Sequence, residues 1–190
     1  KKIIFHNCRH VWETTDDLYS IKRNDYLFIG FKALLNEMSD ETNYHIVTFE
    51  YGIDVTASKK LVNDLGLENY VTWLPKSERK DVMIGMSISD IIVGELFHSY
   101  FSYGIIYEGL AMKKIIIHKR EDHLYNDYYE ELYPMLYADS AETIKEQLLY
   151  IHKNPNLVQE MGANGHDWFL KHMVKEPLVV FKHLLNNKKS

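Results

Sequence analysis

Residues 89–117 read SDIIVGELFHSYFSYGIIYEGLAMKKIII, and the fold can be argued outward from this stretch. An apolar run, Ile91-Ile92-Val93, lies near its start, and a second run, Ile115-Ile116-Ile117, closes it. Runs of β-branched residues without polar alternation are typical of strands that helices cover on both faces. Between the two runs, Gly104 opens a segment with a helical pattern. The stretch therefore predicts strand, loop, helix and strand, the repeating unit of a parallel sheet.

The same alternation of predicted strands and helices continues along the rest of the chain. Three further runs predict strands: Ile3-Ile4-Phe5, Ile46-Val47-Thr48-Phe49 and Val71-Thr72-Trp73. Apolar stripes at helical spacing lie between the strands. Ser77 is placed to cap a third helix, and Asp139 to open a capping box before a later one. We therefore expect residues 1–190 to form a single three-layer α/β/α Rossmann-like domain, with a parallel sheet of about six strands.

Composition excludes several classes of protein. The chain has 190 residues, of which 46% are hydrophobic and 26% charged, which excludes disorder, collagen-like repeats and coiled coils. The net charge of -5 shows no basic excess, so no nucleic-acid partner is expected. One cysteine, Cys8, cannot form an internal disulfide, which fits a reducing compartment such as the cytoplasm. No apolar run approaches the roughly 18 residues that span a bilayer.

Several motifs with a known chemistry are absent from the sequence. No G-x-G-x-x-G follows the first strand, and there is no P-loop, so a dinucleotide cofactor is not expected. There is no Asp-x-Asp pair to hold a metal–diphosphate, and the 10 histidines show no metal-ligand spacing. G-x-S-x-G is also missing, which weakens an esterase interpretation. We therefore expect neither a metal site nor a bound cofactor.

The helix predicted to begin near Gly104 carries the main functional signal. Its free backbone N–H groups would point into the crevice beyond the strands, where they can bind phosphate. Glu108 lies one turn further on, and we expect it to face the same crevice. A carboxylate there can accept hydrogen bonds from two vicinal ribose hydroxyls. This combination of groups is suited to holding a nucleotide.

With these residues in place, the chain resembles the donor-binding half of group 1, or GT4-type, retaining glycosyltransferases of the GT-B fold. In that family the helix opens with Glu-Ala-Met-Ala, and this sequence has Glu108-Gly109-Leu110-Ala111. Residues 65–75, LGLENYVTWLP, resemble the family's LGL-x-x-x-V-x-F-L-G. Residues 1–9 resemble its opening strand, residues 22–25 its Lys-Gly-x-Asp, and residues 161–165 its late helix. The resemblance thus extends over nearly the whole chain.

The resemblance implies a role for particular residues. Arg9 and Lys22 would be the catalytic cations, binding the donor diphosphate and stabilising it as a leaving group in place of a metal. Glu108 would bind the ribose. The remaining donor-binding positions are Tyr103, Gly104 and Ile105 at the phosphates, Leu74 and Pro75 beside the nucleobase, and Tyr100 where the family has a first glutamate near the donor sugar. Trp73 is interpreted as a core aromatic residue.

The function implied is that of a hexosyltransferase of polysaccharide biosynthesis. It would transfer sugar from a UDP- or GDP-sugar to a glycan or lipid-linked acceptor, with retention and without a metal. The acceptor-binding half would precede Lys1, so the chain alone should bind nucleotide weakly and catalyse little, and the full-length protein could associate peripherally with a membrane. Two alternatives stay open: a nucleotide-sugar epimerase of GT-B shape, and a non-catalytic, degenerate nucleotide-binding module, which Tyr100 favours.

Overall fold

The computed structural model describes residues 1–15, 17–38 and 42–187. The domain expected over residues 1–190 therefore includes a few residues outside the described ones, namely 16, 39–41 and 188–190. Within the described residues, six parallel strands form one sheet in the order β3-β2-β1-β4-β5-β6. The strands are β1 (Lys2–His6), β2 (Tyr44–Glu50), β3 (Val71–Pro75), β4 (Ile91–Val93), β5 (Ile115–His118) and β6 (Leu136–Tyr137).

Helices cover both faces of this sheet. They are α1 (Asn24–Glu37), α2 (Val55–Asp64), α3 (Arg79–Ile88), α4 (Gly104–Ala111), α5 (Ala141–Lys153), α6 (Leu157–Phe169) and α7 (Glu176–Asn187), with a π-helical segment at Leu170–Lys175. One face of the sheet packs against α1, α2 and α5, and the other against α3, α4 and α6. The Rossmann-like α/β class and the parallel sheet of about six strands are confirmed.

The core shows why the apolar runs form strands. Successive side chains of a strand point to opposite faces. Ile4 accordingly packs with α1 on one face, and Phe5 packs with Met86 on the other. Ile4 also aligns with Ile46 of β2 and Ile91 of β4, so β1 lies in the middle of the sheet and is buried on both sides. All five predicted strands are present, and the two-residue β6 completes the sheet.

Two predicted helix caps are wrong in detail. Helix α3 begins at Arg79 with Glu78 at the N-cap, because the Ser77 hydroxyl donates instead to the Pro75 carbonyl at 2.8 Å. At α5 the capping residue is Ser140 rather than Asp139. Its hydroxyl accepts the Thr143 N–H at 3.2 Å, and Thr143 Oγ1 accepts the Ser140 N–H at 3.0 Å. A threonine hydroxyl therefore does what glutamate does in the usual capping box.

The strand order creates the position for a ligand site. The chain order reverses between β1 and β4, so the loops that follow these two strands leave in opposite directions. A crevice opens between them at the carboxyl ends, which is where open α/β sheets bind ligands. In the part of the chain that the structure describes, no helix is both long and apolar enough to cross a bilayer.

Candidate functional site

Two adjoining clefts occupy this crevice. The cationic cleft has a volume of about 460 Å³ and is lined by Asn7, Cys8, Arg9, Lys22, Arg79, Glu95, Tyr100, Ser102, Tyr103, Gly104 and Ile105. The Glu108 cleft has a volume of about 230 Å³ and is lined by Asn7, Phe49, Tyr51, Lys76, Ser77, Arg79, Val82 and Glu108. Since Asn7 and Arg79 belong to both, the two clefts form one continuous surface.

Arg9 reaches the cationic cleft from the loop after β1. It is exposed, and no ion-pair partner for it is found within residues 1–15, 17–38 and 42–187. The loop itself is anchored, because the His10 N–H donates to the Tyr51 carbonyl at 2.7 Å. Further along it, the Asp54 carboxylate accepts the Trp12 N–H at 2.6 Å. An unpaired guanidinium on an anchored loop is available to an anionic ligand.

Lys22 lines the same cleft. Its Nζ lies 2.8 Å from Glu95 Oε2 and 5.8 Å from the ring centre of Tyr100. Glu95 is 4% exposed, and its second oxygen, Oε1, has no hydrogen-bond partner in the described part of the chain. Burial raises the pKa of Glu95, although the Lys22 ammonium opposes that rise. The cleft wall thus carries a buried ion pair with spare hydrogen-bonding capacity.

The backbone around Lys22 explains its position. Arg23 has φ 55°, in the left-handed region that favours glycine, where the resembled motif has glycine. Asn24 then uses its side chain twice: its Oδ1 accepts the Val11 N–H at 3.0 Å, and its Nδ2 contacts His6 Nε2 at 2.8 Å. These bonds join the start of α1 to the loop after β1, and so bring Lys22 to the same cleft as Arg9.

The N-terminus of α4 opens into the cationic cleft. Tyr103 is its N-cap residue and makes no side-chain cap. The Ile106 N–H donates to the Tyr103 carbonyl at 2.9 Å, whereas the N–H groups of Gly104 and Ile105 have no acceptor within the described residues. The first N–H groups of a helix have no partner within the helix itself. Two backbone donors are therefore free to bind an anion.

The side chain of Tyr103 is engaged elsewhere. Its ring packs edge-on against His118, and its hydroxyl accepts the backbone N–H of Glu95. Burial raises the pKa of Tyr103 well above its usual value. Only the backbone of Tyr103 therefore remains for a ligand, which is the role that the resemblance implies.

Glu108 faces the neighbouring cleft. Its carboxylate forms an ion pair with Arg79, and its side chain is 15% exposed. The sequence suggested that Glu108 and the start of α4 share one crevice. Both lie in the crevice between the loops that follow β1 and β4, in two adjoining clefts that meet at Arg79.

Leu74 and Pro75, expected beside a nucleobase, line neither cleft within the described residues. Leu74 packs half-buried against the core beneath α3 and α4, and Pro75 is exposed at the end of β3. Lys76 and Ser77, the next two residues, do line the Glu108 cleft. Trp73 packs in the core, 5.1 Å from the ring centre of His10.

Solved structures share this architecture. A glycosyltransferase from Rickettsia africae ESF-5 has a TM-score of 0.67 at 18% identity, over 98% of this chain and 48% of that one. A variant of TarM from S. aureus, in complex with fondaparinux, alpha-GlcNAc-glycerol and UDP, has a TM-score of 0.69 at 16% identity, over 97% of this chain and 35% of that one. The C-terminal domain of a glycosyl transferase group 1 family protein (LpcC) from Francisella tularensis has a TM-score of 0.64 at 15% identity, over 90% of this chain and 85% of that one.

The chain has the fold of a GT-B glycosyltransferase C-terminal domain. This confirms the resemblance seen in the sequence at the level of fold. The chain spans half or less of the two longer proteins and most of the isolated C-terminal domain. No family model matches the sequence, and no curated protein matches it.

Two residues of this domain line the site without having been predicted there. Arg79 lines both clefts, and Glu95 holds Lys22. No local motif marks either of them. Arg79 precedes its partner by 29 residues, and Glu95 follows Lys22 by 73. The strand order brings these pairs together, so only a correct topology could have identified them.

No metal centre is formed by the side chains of the described residues. Nowhere among them do three or more His, Cys, Asp or Glu side chains come together in a way that could hold a metal ion. The charged side chains that line the two clefts are four cations and two carboxylates, and each carboxylate is paired with a cation.

Proposed function

We propose that this GT-B domain is the nucleotide-sugar-binding half of a glycosyltransferase. The observation that carries the proposal is the arrangement around α4: Arg9, Lys22 and two free backbone N–H groups line one cleft, and Glu108 lines the cleft beside it. A nucleoside diphosphate has the matching layout, with ribose hydroxyls for the carboxylate and phosphates for the cations and the helix N-terminus.

The proposed chemistry is transfer of a sugar from the donor to an acceptor hydroxyl. The bond between the sugar's anomeric carbon and the diphosphate oxygen breaks, and the acceptor oxygen bonds to that carbon. Charge then develops on the leaving diphosphate, where Arg9, Lys22 and the start of α4 would stabilise it. Because these groups supply positive charge themselves, we propose that transfer needs no metal. Retention of configuration is part of the proposal through the resemblance to group 1 enzymes.

The acceptor side of the reaction is proposed to need more than this domain. Matched glycosyltransferases such as the Rickettsia africae protein are about twice as long as the region they share with it. We propose a glycan or lipid-linked acceptor, held by a second half, and a role in polysaccharide biosynthesis in the cytoplasm, with peripheral membrane contact of the full-length protein. TarM was solved with UDP bound, which supports a uridine nucleotide as the donor's leaving group.

Calorimetric titration of the chain with UDP and GDP, in buffer containing EDTA, tests the proposal. We expect one nucleotide to bind at one site and the binding to survive EDTA. Arg9→Ala and Lys22→Ala should each weaken it about tenfold or more, since each removes a charge-assisted contact to phosphate. Lys182→Ala is the matched control, because Lys182 is exposed on α7 and lines neither cleft. Absence of binding by either nucleotide would contradict the proposal.

A second candidate function is a non-catalytic nucleotide-binding module. Tyr100 favours it, because a tyrosine rather than a carboxylate lines the cationic cleft where group 1 enzymes have their first glutamate. Incubating the full-length protein with UDP-glucose and analysing the sugar products separates the possibilities. Transfer to an added acceptor supports the enzyme, epimerised free sugar nucleotide supports the epimerase, and unchanged donor supports the module.

A further inference from the structure

Arg79 occupies the junction of the two clefts. It is the first residue of α3 and the one charged side chain that lines both clefts, in the part of the chain that the structure describes. Its Nη2 and Nη1 lie 3.3 and 3.7 Å from the point where a side chain on Gly104 would begin. The guanidinium therefore lies directly over the start of α4, on the side of the cationic cleft.

In this arrangement Arg79 is paired with Glu108. Arg79 Nη2 donates to Glu108 Oε1, and Arg79 is the only ion-pair partner of Glu108 among the described residues. The Arg79 side chain is 70% exposed. Ion pairs with so exposed a partner contribute little to stability, so a ligand can separate this pair at small cost. A bound ligand can therefore replace the Glu108 carboxylate as the partner of Arg79.

A nucleoside diphosphate would cause that separation. Two ribose hydroxyls bound to the Glu108 carboxylate would occupy both of its oxygens, including Oε1, which Arg79 now contacts. The phosphate on the ribose 5′ carbon must then leave the Glu108 cleft toward Gly104, past Arg79. A guanidinium offers five N–H donors in a planar fork that matches two phosphate oxygens.

We propose that Arg79 is a phosphate-binding residue of this site, one that exchanges the Glu108 carboxylate for the phosphate next to the ribose when a nucleoside diphosphate binds. The inference rests on the proposed function and extends it. It adds a residue of α3 to the two cations, Arg9 after β1 and Lys22 before α1, that the proposed function assigns to the phosphates. In the empty site, Arg79 keeps Glu108 neutralised and oriented. In the loaded site, it bridges the ribose and diphosphate regions.

The test compares UDP with uridine, which has the same base and ribose but no phosphate. Wild type, Arg79→Ala, Arg79→Lys and the control Lys80→Ala are titrated with UDP by calorimetry and with uridine by NMR. Lys80 is the exposed neighbour of Arg79 and lines neither cleft. We expect Arg79→Ala to lower the affinity for UDP about tenfold and to leave the affinity for uridine within about twofold of wild type. Arg79→Lys keeps the positive charge but loses the planar fork of donors, so its UDP affinity should lie between those of wild type and Arg79→Ala. Lys80→Ala should match wild type.

Three results would overturn the inference. Unchanged or tighter UDP binding by Arg79→Ala would mean that Arg79 only blocks Glu108. Equal losses for UDP and uridine would mean that Arg79 only orients Glu108. If wild-type protein bound neither UDP nor GDP, the proposed function would fall together with this inference, whereas the first two results leave the proposed function intact. Circular dichroism spectra of the variants show whether each one is folded, and Arg79→Lys supplies a conservative variant if the alanine variant is not.

Discussion

Lys22 and Glu95 form a buried ion pair at the wall of the cationic cleft, with 2.8 Å between Nζ and Oε2 and side-chain exposures of 14% and 5%. Removing one member of such a pair leaves the other charge buried without compensation. We therefore expect Lys22→Met to lower the free energy of unfolding by about 2 kcal/mol, somewhat less than for a fully buried pair. The additional substitution Glu95→Gln should restore most of that loss. Urea unfolding monitored by tryptophan fluorescence measures both.

Lys59 supplies the matched control for that measurement. It forms an ion pair with Glu50 at 2.6 Å, but the two side chains are 43% and 44% exposed. Exposed pairs contribute at most about 1 kcal/mol, so Lys59→Met should change stability by less than half as much as Lys22→Met. Equal losses for the two variants would contradict the view that burial makes the Lys22 pair different.

Glu108 is expected to distinguish ribonucleotides from dideoxynucleotides. A carboxylate that accepts hydrogen bonds from both ribose hydroxyls should make wild-type protein bind UDP about tenfold more tightly than 2′,3′-dideoxy-UDP. Glu108→Ala should bind the two with similar affinity. Glu142→Ala is the control, because Glu142 is likewise a helical glutamate but lines neither cleft. A variant that kept full discrimination would remove Glu108 from the ribose site. Competition binding measures the affinity of each of the three proteins for both nucleotides.

Three buried histidines should make the domain sensitive to acid. Burial lowers the pKa of His6 to about 4, that of His10 to about 3 and that of His118 to about 3. Burial therefore keeps each of them neutral in the folded chain, and the ring nitrogens of His10 lie 2.9 Å from Ser58 Oγ and 3.0 Å from Thr48 Oγ1. In the unfolded chain these groups take up protons near pH 6.5, and in the folded chain they do so only near pH 3 to 4.

The sign of the pH dependence follows from this difference. The unfolded state binds more protons below pH 6.5, so the stability is complete above that pH and is lost as the pH falls. Between pH 6.5 and 5.5 the three groups together should remove about 3 kcal/mol. Thermal unfolding at half-unit steps measures the profile. His118→Gln should flatten it by about a third, and the exposed His152→Gln should leave it unchanged. A flat wild-type profile down to pH 5 would refute the assignment.

Local patterns were enough for most of the fold. Five apolar runs predicted β1 to β5, because buried parallel strands have no polar alternation to obscure them. Strand β6 has only two residues, Leu136–Tyr137, too few to produce a periodic signal. The capping residues were missed by one position each. At α5, Asp139 and Ser140 are both suitable N-cap residues, and at α3 the N-cap residue Glu78 makes no side-chain cap that a pattern could reveal.

Local patterns predicted some residues of the candidate site and missed others. Arg9, Lys22 and Gly104 could be proposed because each follows a strand or precedes a helix in a recognisable order, and the structure brings all three to one cleft. Arg79 and Glu95 depend on contacts between distant parts of the chain. Their positions follow from the order of strands in the sheet, which the apolar runs alone do not specify.

Gly162 and Gly66 are expected to respond very differently to alanine. A Cβ on Gly162 would meet the backbone carbonyl of Lys113, where α6 packs against the turn between α4 and β5. That turn is itself constrained, since Lys113 has φ 59°. Backbone cannot yield as a side-chain tip does, so Gly162→Ala must push α6 away from the sheet, at a cost of about 3 kcal/mol.

Gly66 has open space around it, with no atom within 4 Å of the added Cβ, but its φ is +67°. Gly66→Ala should therefore cost only the strain of a left-handed alanine, about 1 kcal/mol. Denaturant unfolding of both variants separates a packing cost from a conformational one. Only the Gly162 variant should also alter the near-UV spectrum, because Trp168 lies on the same helix and packs with Tyr133 at 5.2 Å. Equal losses would mean that α6 can shift without disturbing the core, and that the close approach to Lys113 is not what requires glycine.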